Sequence, residues 1–406
     1  MNNINRSVSG SYNVINFSNS IAFEETLSYF NSSSLHTENT PLILDLTRAT
    51  YLDIAAILFI LSMIYSRFLK QYETRLVLPE NELLRDFLSM SNFARALQDI
   101  TDHPFSTFLA KAERNALFFD ETPQSFINHK TDEKFTSNRL DTPLISLELR
   151  GFFSIQSWVI HPDRRRKLNY EHFIIRDEMA RWSSPIIQAA LYRHFKEDAV
   201  YISTHISQEA IKNALMYPNA KILLELARYE KKYRRLNIAF YDDGQTIHDN
   251  LKDLILQGKS VRQFVIDDLP DEAFTTTFQS KDGRLISKIY DASFTPGTDS
   301  PDYEVLLAAF MPGISGGAFK PREDSRPYGR SGIGLCNLLN AAIDILGGSV
   351  VYRGGNMMVS INGRKSAHSA DQGTFQYLFE IRETNIHYVG NLFVIRLPKG
   401  CEAILE

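Results

Sequence analysis

Cysteine is scarce in this chain of 406 residues: only Cys336 and Cys401 occur, and they form no CxxC pair. That excludes a disulfide framework and a cysteine-rich zinc site, and it fits a reducing compartment. Long apolar runs are missing as well. The most apolar window, Ile54–Tyr65 ("IAAILFILSMIY"), falls short of the roughly 20 residues a spanning helix needs. A buried helix is expected there, with no membrane association. The opening stretch "MNNINRSVSG" lacks the apolar region of a secretory signal. No basic excess exists either: 44 Lys and Arg stand against 48 Asp and Glu, a net charge of -4. Nucleic acid is therefore not expected as a direct ligand. What remains is ordinary globular chain, 44% apolar and 23% charged, long enough for more than one domain and expected in the cytoplasm.

Hydrophobic rhythm predicts a small α/β domain over residues 1–100. Its elements are a strand at 12–17, a short helix at 21–35 carrying Phe23, Leu27 and Phe30 on one side, and an apolar strand at Pro41–Thr47. A helix at 54–69, a strand at Thr74–Pro79 and a helix from Glu80 to Leu97 follow. Residues 101–142 are polar and read as a connection. A larger α/β domain is expected over 143–406. It starts with a strand at Leu144–Leu149, a solvated basic turn at Asp163–Lys167 ("DRRRK") and helices at 184–196 and 199–216. "KILLELARYE" and "LNIAFYDDG" then make an antiparallel hairpin through the charged turn Lys231–Arg235. After an irregular stretch at 249–328, Leu335, Leu338, Leu339, Ala342 and Leu346 fall at helical spacing, with Gly347 and Gly348 at the end. Antiparallel strands from "SVVYR" to "NLFVIRLP" close the domain.

Three stretches of the larger domain carry chemistry. "GRSGIGL" (Gly329–Leu335) fits neither known phosphate loop: "GKS" at Gly258–Ser260 has Asp253 where a P-loop needs glycine, and the GxGxxG spacing is absent. Its glycines, placed before a helix, present amide N–H groups to an anion or simply turn the chain. In "SQEAIKNALMYPNA", Glu209 and Asn213 stand four apart on one helix face. They are either a carboxylate–amide pair suited to Mg²⁺ chemistry or an exposed polar stripe. In "IAFYDDGQTI", Asp242 ends an apolar strand and Gly244 follows. This is either an acceptor for an exocyclic amine with room for a ring, or a plain turn.

Taken in order, ExxxNA on a helix, DxGx after a strand, GxxGxGL opening a helix and "GNLFVIRLP" at the close resemble the GHKL ATP-binding superfamily over residues 180–400. That superfamily includes gyrase-type topoisomerases, histidine kinases, anti-sigma serine kinases and mismatch-repair ATPases. The resemblance implies a C-terminal α/β sandwich, a mixed sheet with helices on one face, that binds ATP and Mg²⁺. It implies Glu209 as general base, Asn213 as Mg²⁺ ligand, and Asp242 as partner of the adenine amino group, with Gly244 and Thr246 beside it. Gly329, Arg330, Ser331, Gly332, Ile333, Gly334 and Leu335 become the phosphate-facing loop. Gly390, Phe393 and Pro398 match the closing pattern, in which Asn391 or Thr374 stands for the usual threonine. Thr246 departs from the pattern, since a glycine is usual there.

Residues 1–100 resemble a STAS domain through "LILDLTRATYLDIAAILFIL", although Asp53 is followed by Ile54, Ala55 and Ala56 in place of a switch hydroxyl. A docking or dimerisation role is implied, toward a regulatory protein partner or a second copy. A nucleotide-dependent regulatory ATPase is thus the first expectation. A serine kinase resembling the anti-sigma kinases, or a sensor that binds without turnover, are the alternatives. His172 in "YEHFIIRDEMARW" lacks the acidic neighbour and downstream proline of a phosphoacceptor box.

Overall fold

A computed structural model of the chain describes residues 12–21, 40–110, 156–159, 205–206, 209–210, 213–214, 220–230, 234–262, 274–291, 293–314, 334–365 and 375–398. The short helix expected at 21–35, the strand at Leu144–Leu149, "DRRRK", His172 and the helix at 184–196 lie outside those residues. The chain is mixed α/β and divides into two units, Met1–Thr131 and Asp132–Glu406.

In the first unit three strands lie parallel in the order β1 (Asn13–Ile21), β2 (Leu42–Leu52), β3 (Thr74–Val77). Parallel neighbours cannot be joined by a tight turn, and α1 (Ile54–Leu69) makes the crossover from β2 to β3. The Asp53 carboxylate starts this helix by accepting from the Ala56 amide at 2.7 Å. Every residue from Ile54 to Ser62 is buried, so α1 has no water-facing side along its first two turns. At its other end Arg67 donates to the Thr74 hydroxyl at 2.8 Å and the Thr40 carbonyl at 2.7 Å, tying the helix to the starts of β2 and β3.

The single helix expected from Glu80 to Leu97 is two helices, α2 (Glu82–Met90) and α3 (Phe93–Thr101). Between them Asn92 is left-handed (φ 61°), and the Ser91 hydroxyl donates to the Leu88 carbonyl at 2.9 Å. Asparagine tolerates that backbone, so the apolar repeat stops and resumes without losing its phase. Packing also continues past residue 100: Phe105 and Phe108 are buried in a 3₁₀ turn, and Leu109 bridges Leu76 of β3.

The second unit carries a seven-stranded mixed sheet. Its strands are β4 (Gln156–Val159), β5 (Ile222–Glu230), β6 (Arg235–Asp242), β7 (Phe274–Gln279), β8 (Leu285–Tyr290), β9 (Ser349–Lys365) and β10 (Phe375–Pro398). The expected β5–β6 hairpin is present and antiparallel. β10 organises the sheet. One edge pairs with β9 from Phe375 to Arg396, while the other meets β7 (parallel) at Tyr377–Arg382 and β6 (antiparallel) at Asn391–Pro398. Between these two partners the seven residues Thr384–Gly390 of β10 oppose only Gly355 and Asn356 of β9.

The stretch 249–328, expected to be irregular, contains regular structure. It begins inside α4 (Ile247–Leu256) and includes the β7–β8 hairpin and α5 (Asp302–Ala309). The hairpin turns at Asp282–Gly283, with Gly283 at φ 83°, and its strands are rich in threonine and isoleucine. The helix expected after the glycine stretch is α6 (Gly334–Leu339), which widens into a π turn at Asn340–Ile345. Leu251, Val305, Phe310, Leu338 and Leu346 from these helices pack on Ile238, Phe240, Val350, Phe379 and Phe393 of the sheet. The opposite face is buried too, at Leu224, Ala239, Tyr241, Val351, Arg353, Leu392 and Val394. Arg353 is fully buried there, donating to the Gly355 and Met357 carbonyls at 2.7 and 2.8 Å. Burial pushes its pKa down to about 10, which leaves the guanidinium charged at neutral pH.

Phe310 sits at the centre of the helix-side core, 5.8, 6.0 and 6.5 Å between ring centroids from Tyr352, Phe379 and Phe393. Phe310→Ala is expected to cost about 3–5 kcal/mol, read as a lower urea midpoint by near-ultraviolet circular dichroism.

Candidate functional site

Glu209, Ala210, Asn213 and Ala214 are helical, as the spacing predicts. Ala210 and Ala214 are buried while Glu209 and Asn213 are half-buried, so the two polar residues emerge together beside the core. Gly334, the first residue of α6, lies directly against them. A Cβ at Gly334 would stand 2.9 Å from Glu209 Oε2 and 3.3 Å from Asn213 Oδ1. A side chain at residue 334 would displace the Glu209 carboxylate from this position. Asn213 Nδ2 is buried and has no hydrogen-bond partner among the described residues. Leu335 packs against the core beside it. One residue further, burial pushes the Cys336 thiol up to about 11, so it carries no thiolate at neutral pH. Gly329, Arg330, Ser331, Gly332 and Ile333 lie outside the described residues.

A second cluster forms where β6 ends. Asp242 Oδ1 accepts from the Gly244 amide at 2.9 Å and from Asn391 Nδ2 at 3.0 Å. Gly244 is confined: a Cβ there would lie 2.9 Å from Asp242 Oδ1 and 3.1 Å from Ala220 Cβ. Ala220 is only seven residues beyond Asn213, so a short span of chain joins the two clusters. Asn391 stands opposite Asp242 in register on β10. Thr374, the other candidate for that closing position, lies outside the described residues.

Thr246 is the N-cap of α4. Its hydroxyl donates to Asp249 Oδ2 at 2.6 Å and accepts from the Asp249 amide at 3.1 Å, which commits it to the helix start. The bond from His248, together with Thr246, holds the Asp249 carboxyl below the usual range. Burial pushes Asp302 of α5 up, yet the Lys252 ammonium at 2.5 Å and nearby His248 outweigh it and leave it lowered. Tyr352 of β9 is buried and its pKa is raised, chiefly by burial and further by the charges of Asp242 and Asp249, so its hydroxyl remains a donor.

Two contributors escaped the sequence reading. Asp243, which stands between Asp242 and Gly244, accepts from the Lys221 and Ile222 amides at 2.5 and 2.9 Å and pins the start of β5. Tyr352 alternates like any core residue, and only its polar tip in an apolar run ("SVVYR") was a signal.

No cluster of three or more His, Cys, Asp or Glu able to hold a metal occurs among the described residues. A cation at Asn213 would therefore complete its shell with phosphate oxygens and water, which is the habit of Mg²⁺. The half-buried carboxylate and the Asn213 amide oxygen fit such a cation, while the unpartnered Asn213 Nδ2 is a hydrogen-bond donor that suits a phosphate oxygen and not the metal. Among the described residues no helix is long and apolar enough to cross a membrane. Comparison with protein-family models, curated proteins and solved structures found no match.

Gly334→Ala pushes on the flexible end of Glu209 and not on backbone. It is expected to cost less than about 1 kcal/mol in a thermal melt, while displacing the Glu209 carboxylate enough to abolish any turnover. Thr246→Ala removes the α4 cap and is expected to cost about 1 kcal/mol. Because Asp249 and Asp302 are lowered in the fold, the stability they contribute is present above the unfolded carboxylate range, around pH 4, and is lost as pH falls through their folded values. Asp249→Asn should flatten that acid limb in melts run at decreasing pH.

Proposed function

We propose that residues 143–406 form a GHKL-type domain that binds ATP with Mg²⁺ and hydrolyses it, and that nucleotide state switches a regulatory contact. Residues 1–100, by their STAS resemblance, dock a protein partner or a second copy of the chain. The observation that carries the proposal is the meeting of Gly334 with Glu209 and Asn213, which precede it by 125 and 121 residues in sequence yet lie against it in space. A polar stripe on a solvated helix has no reason to face a glycine that opens another helix. A carboxylate and an amide beside a phosphate-binding helix start do.

In this reading each residue has one task. Glu209 accepts the proton of the attacking water, and Asn213 Oδ1 would hold the cation. Asp242 accepts from the exocyclic amine of adenine while Gly244 leaves room for the ring. The GHKL resemblance assigns the phosphate-facing role to Gly329–Leu335. Bound Mg²⁺ supplies neutralisation of the charge that builds on the phosphate oxygens.

Radiolabelled ATP separates the alternatives. Free phosphate marks a hydrolase, label on a second protein a serine kinase, and binding with neither a sensor. Free phosphate is expected. Glu209→Ala should lower its release about 10²- to 10⁴-fold while ATP still binds. Asp242→Asn should weaken binding itself about 10- to 100-fold, measured by calorimetry. No heat from ATP and Mg²⁺ with the parent protein, or unchanged binding by Asp242→Asn, would overturn the proposal.

A further inference from the structure

Among the described residues β8 is the outermost strand of the second sheet, paired with β7 on one side only. The Ser280 amide donates to the Arg284 carbonyl at 3.0 Å, and the β7–β8 register then runs without a shift to Phe274–Tyr290. Bonded and unbonded pairs alternate in an antiparallel ladder. Ile286, Lys288 and Tyr290 therefore bond to β7, while Leu285, Ser287 and Ile289 turn N–H and C=O outward. The side chains of these three lie on the sheet face opposite to the core residues Phe274, Phe278 and Tyr290, where Leu285 is 68% and Ile289 55% exposed. Exposed edges are usually guarded by a lysine, a proline or a bulge. β8 has no proline and no bulge, and its one lysine, Lys288, is committed to Glu304 of α5 at 2.7 Å.

We propose that β8 pairs antiparallel with β8 of a second copy of this chain, about a two-fold axis at Ser287, joining two sheets into one. An axis normal to the sheet keeps like faces together, so opposed residues must share a face. The register centred on Ser287 meets this condition and sets Leu285 opposite Ile289 of the second copy, twice. Each copy offers three outward N–H groups and three outward carbonyls, so all six donors of the two edges find an acceptor. Charge selects the same direction. Arg284 precedes the strand, with its side chain 81% exposed, and Asp291 follows it. Antiparallel pairing brings Arg284 beside Asp291 of the second copy, whereas parallel pairing would set Arg284 on Arg284 and Asp291 on Asp291. A peptide of arbitrary sequence would satisfy the backbone but neither the Leu285–Ile289 pairs nor the end charges. The six residues of β8 span about 20 Å, which puts the contact at the small end of protein interfaces. The dimer is accordingly reversible, with a dissociation constant of about 1–100 µM, and it requires no nucleotide.

Sedimentation velocity of the full chain, from about 1 to about 200 µM, should show monomer giving way to dimer. Ser287→Pro removes an outward N–H and leaves the bonds to β7 intact, so it should raise the dissociation constant at least about tenfold. Cross-linking then reads the register. Opposed α-carbons of a bonded pair lie about 5.5 Å apart, within reach of a disulfide, so Ser287→Cys should link two chains when oxidised with diamide. Leu285→Cys is also exposed, but its α-carbon would stand about 14 Å from its counterpart. It should link no more than the parent, in which Cys336 and Cys401 set the background. A parent that stays monomeric over the whole range overturns the proposal, and so does a Ser287→Cys protein that links no better than Leu285→Cys. Unchanged association of folded Ser287→Pro overturns it too, and is the result expected of a dimer built through the first unit. The cross-link is decisive if Ser287→Pro does not fold.

Discussion

The close approach of the Gly390 backbone to the Asp242 carbonyl is the constraint on which the second unit depends. Any side chain at residue 390 would put its first carbon 1.9 Å from that oxygen, and the positive φ of 85° independently favours glycine. With glycine in place, β10 reaches β6 in register from Asn391 to Pro398. That register sets Asn391 across from Asp242 on the face that the helices cover. A slip of β10 by one residue would turn Asn391 to the other face and set Gly390 or Leu392 opposite Asp242. The seven residues Thr384–Gly390 that bulge from the ladder are thus what allows one strand to serve β7 with one half and β6 with the other.

Local chemistry was legible where one interaction dominates. The helix at Ile54–Leu69 has the bounds that its apolar run implies, and the β5–β6 hairpin follows from two apolar runs around a charged turn. The break at Asn92 was not legible, because the apolar phase continues across it and only the backbone angle reveals it. The β7–β8 hairpin escaped notice for a different reason. β8 has most of its residues exposed, so burial imposes no alternation on it, and the Asp282–Gly283 turn was the sole cue.

The same division runs through the candidate site. The four-residue spacing of Glu209 and Asn213 reads directly as one helix face. That Gly334 abuts them could be learned only from coordinates, since sequence shows which residues tolerate a close approach but not what approaches. Asn391 was visible as a departure from a family pattern, with Thr374 as its rival. Its four bonds come from β6, β9 and the start of α4, and no local pattern encodes a convergence of three segments up to 149 residues apart.

The placement of β10 also bears on how the chain comes off the ribosome. The strand at the centre of the second sheet is the last of its seven to be synthesised, and its final turn of pairing joins residue 398 to residue 235. Until that stretch emerges, the apolar runs of β5 and β6 have each other but no inner neighbour, and β7 and β8 form an isolated ribbon. Nascent intermediates of this unit therefore expose an open, apolar sheet edge for as long as translation of the intervening residues takes.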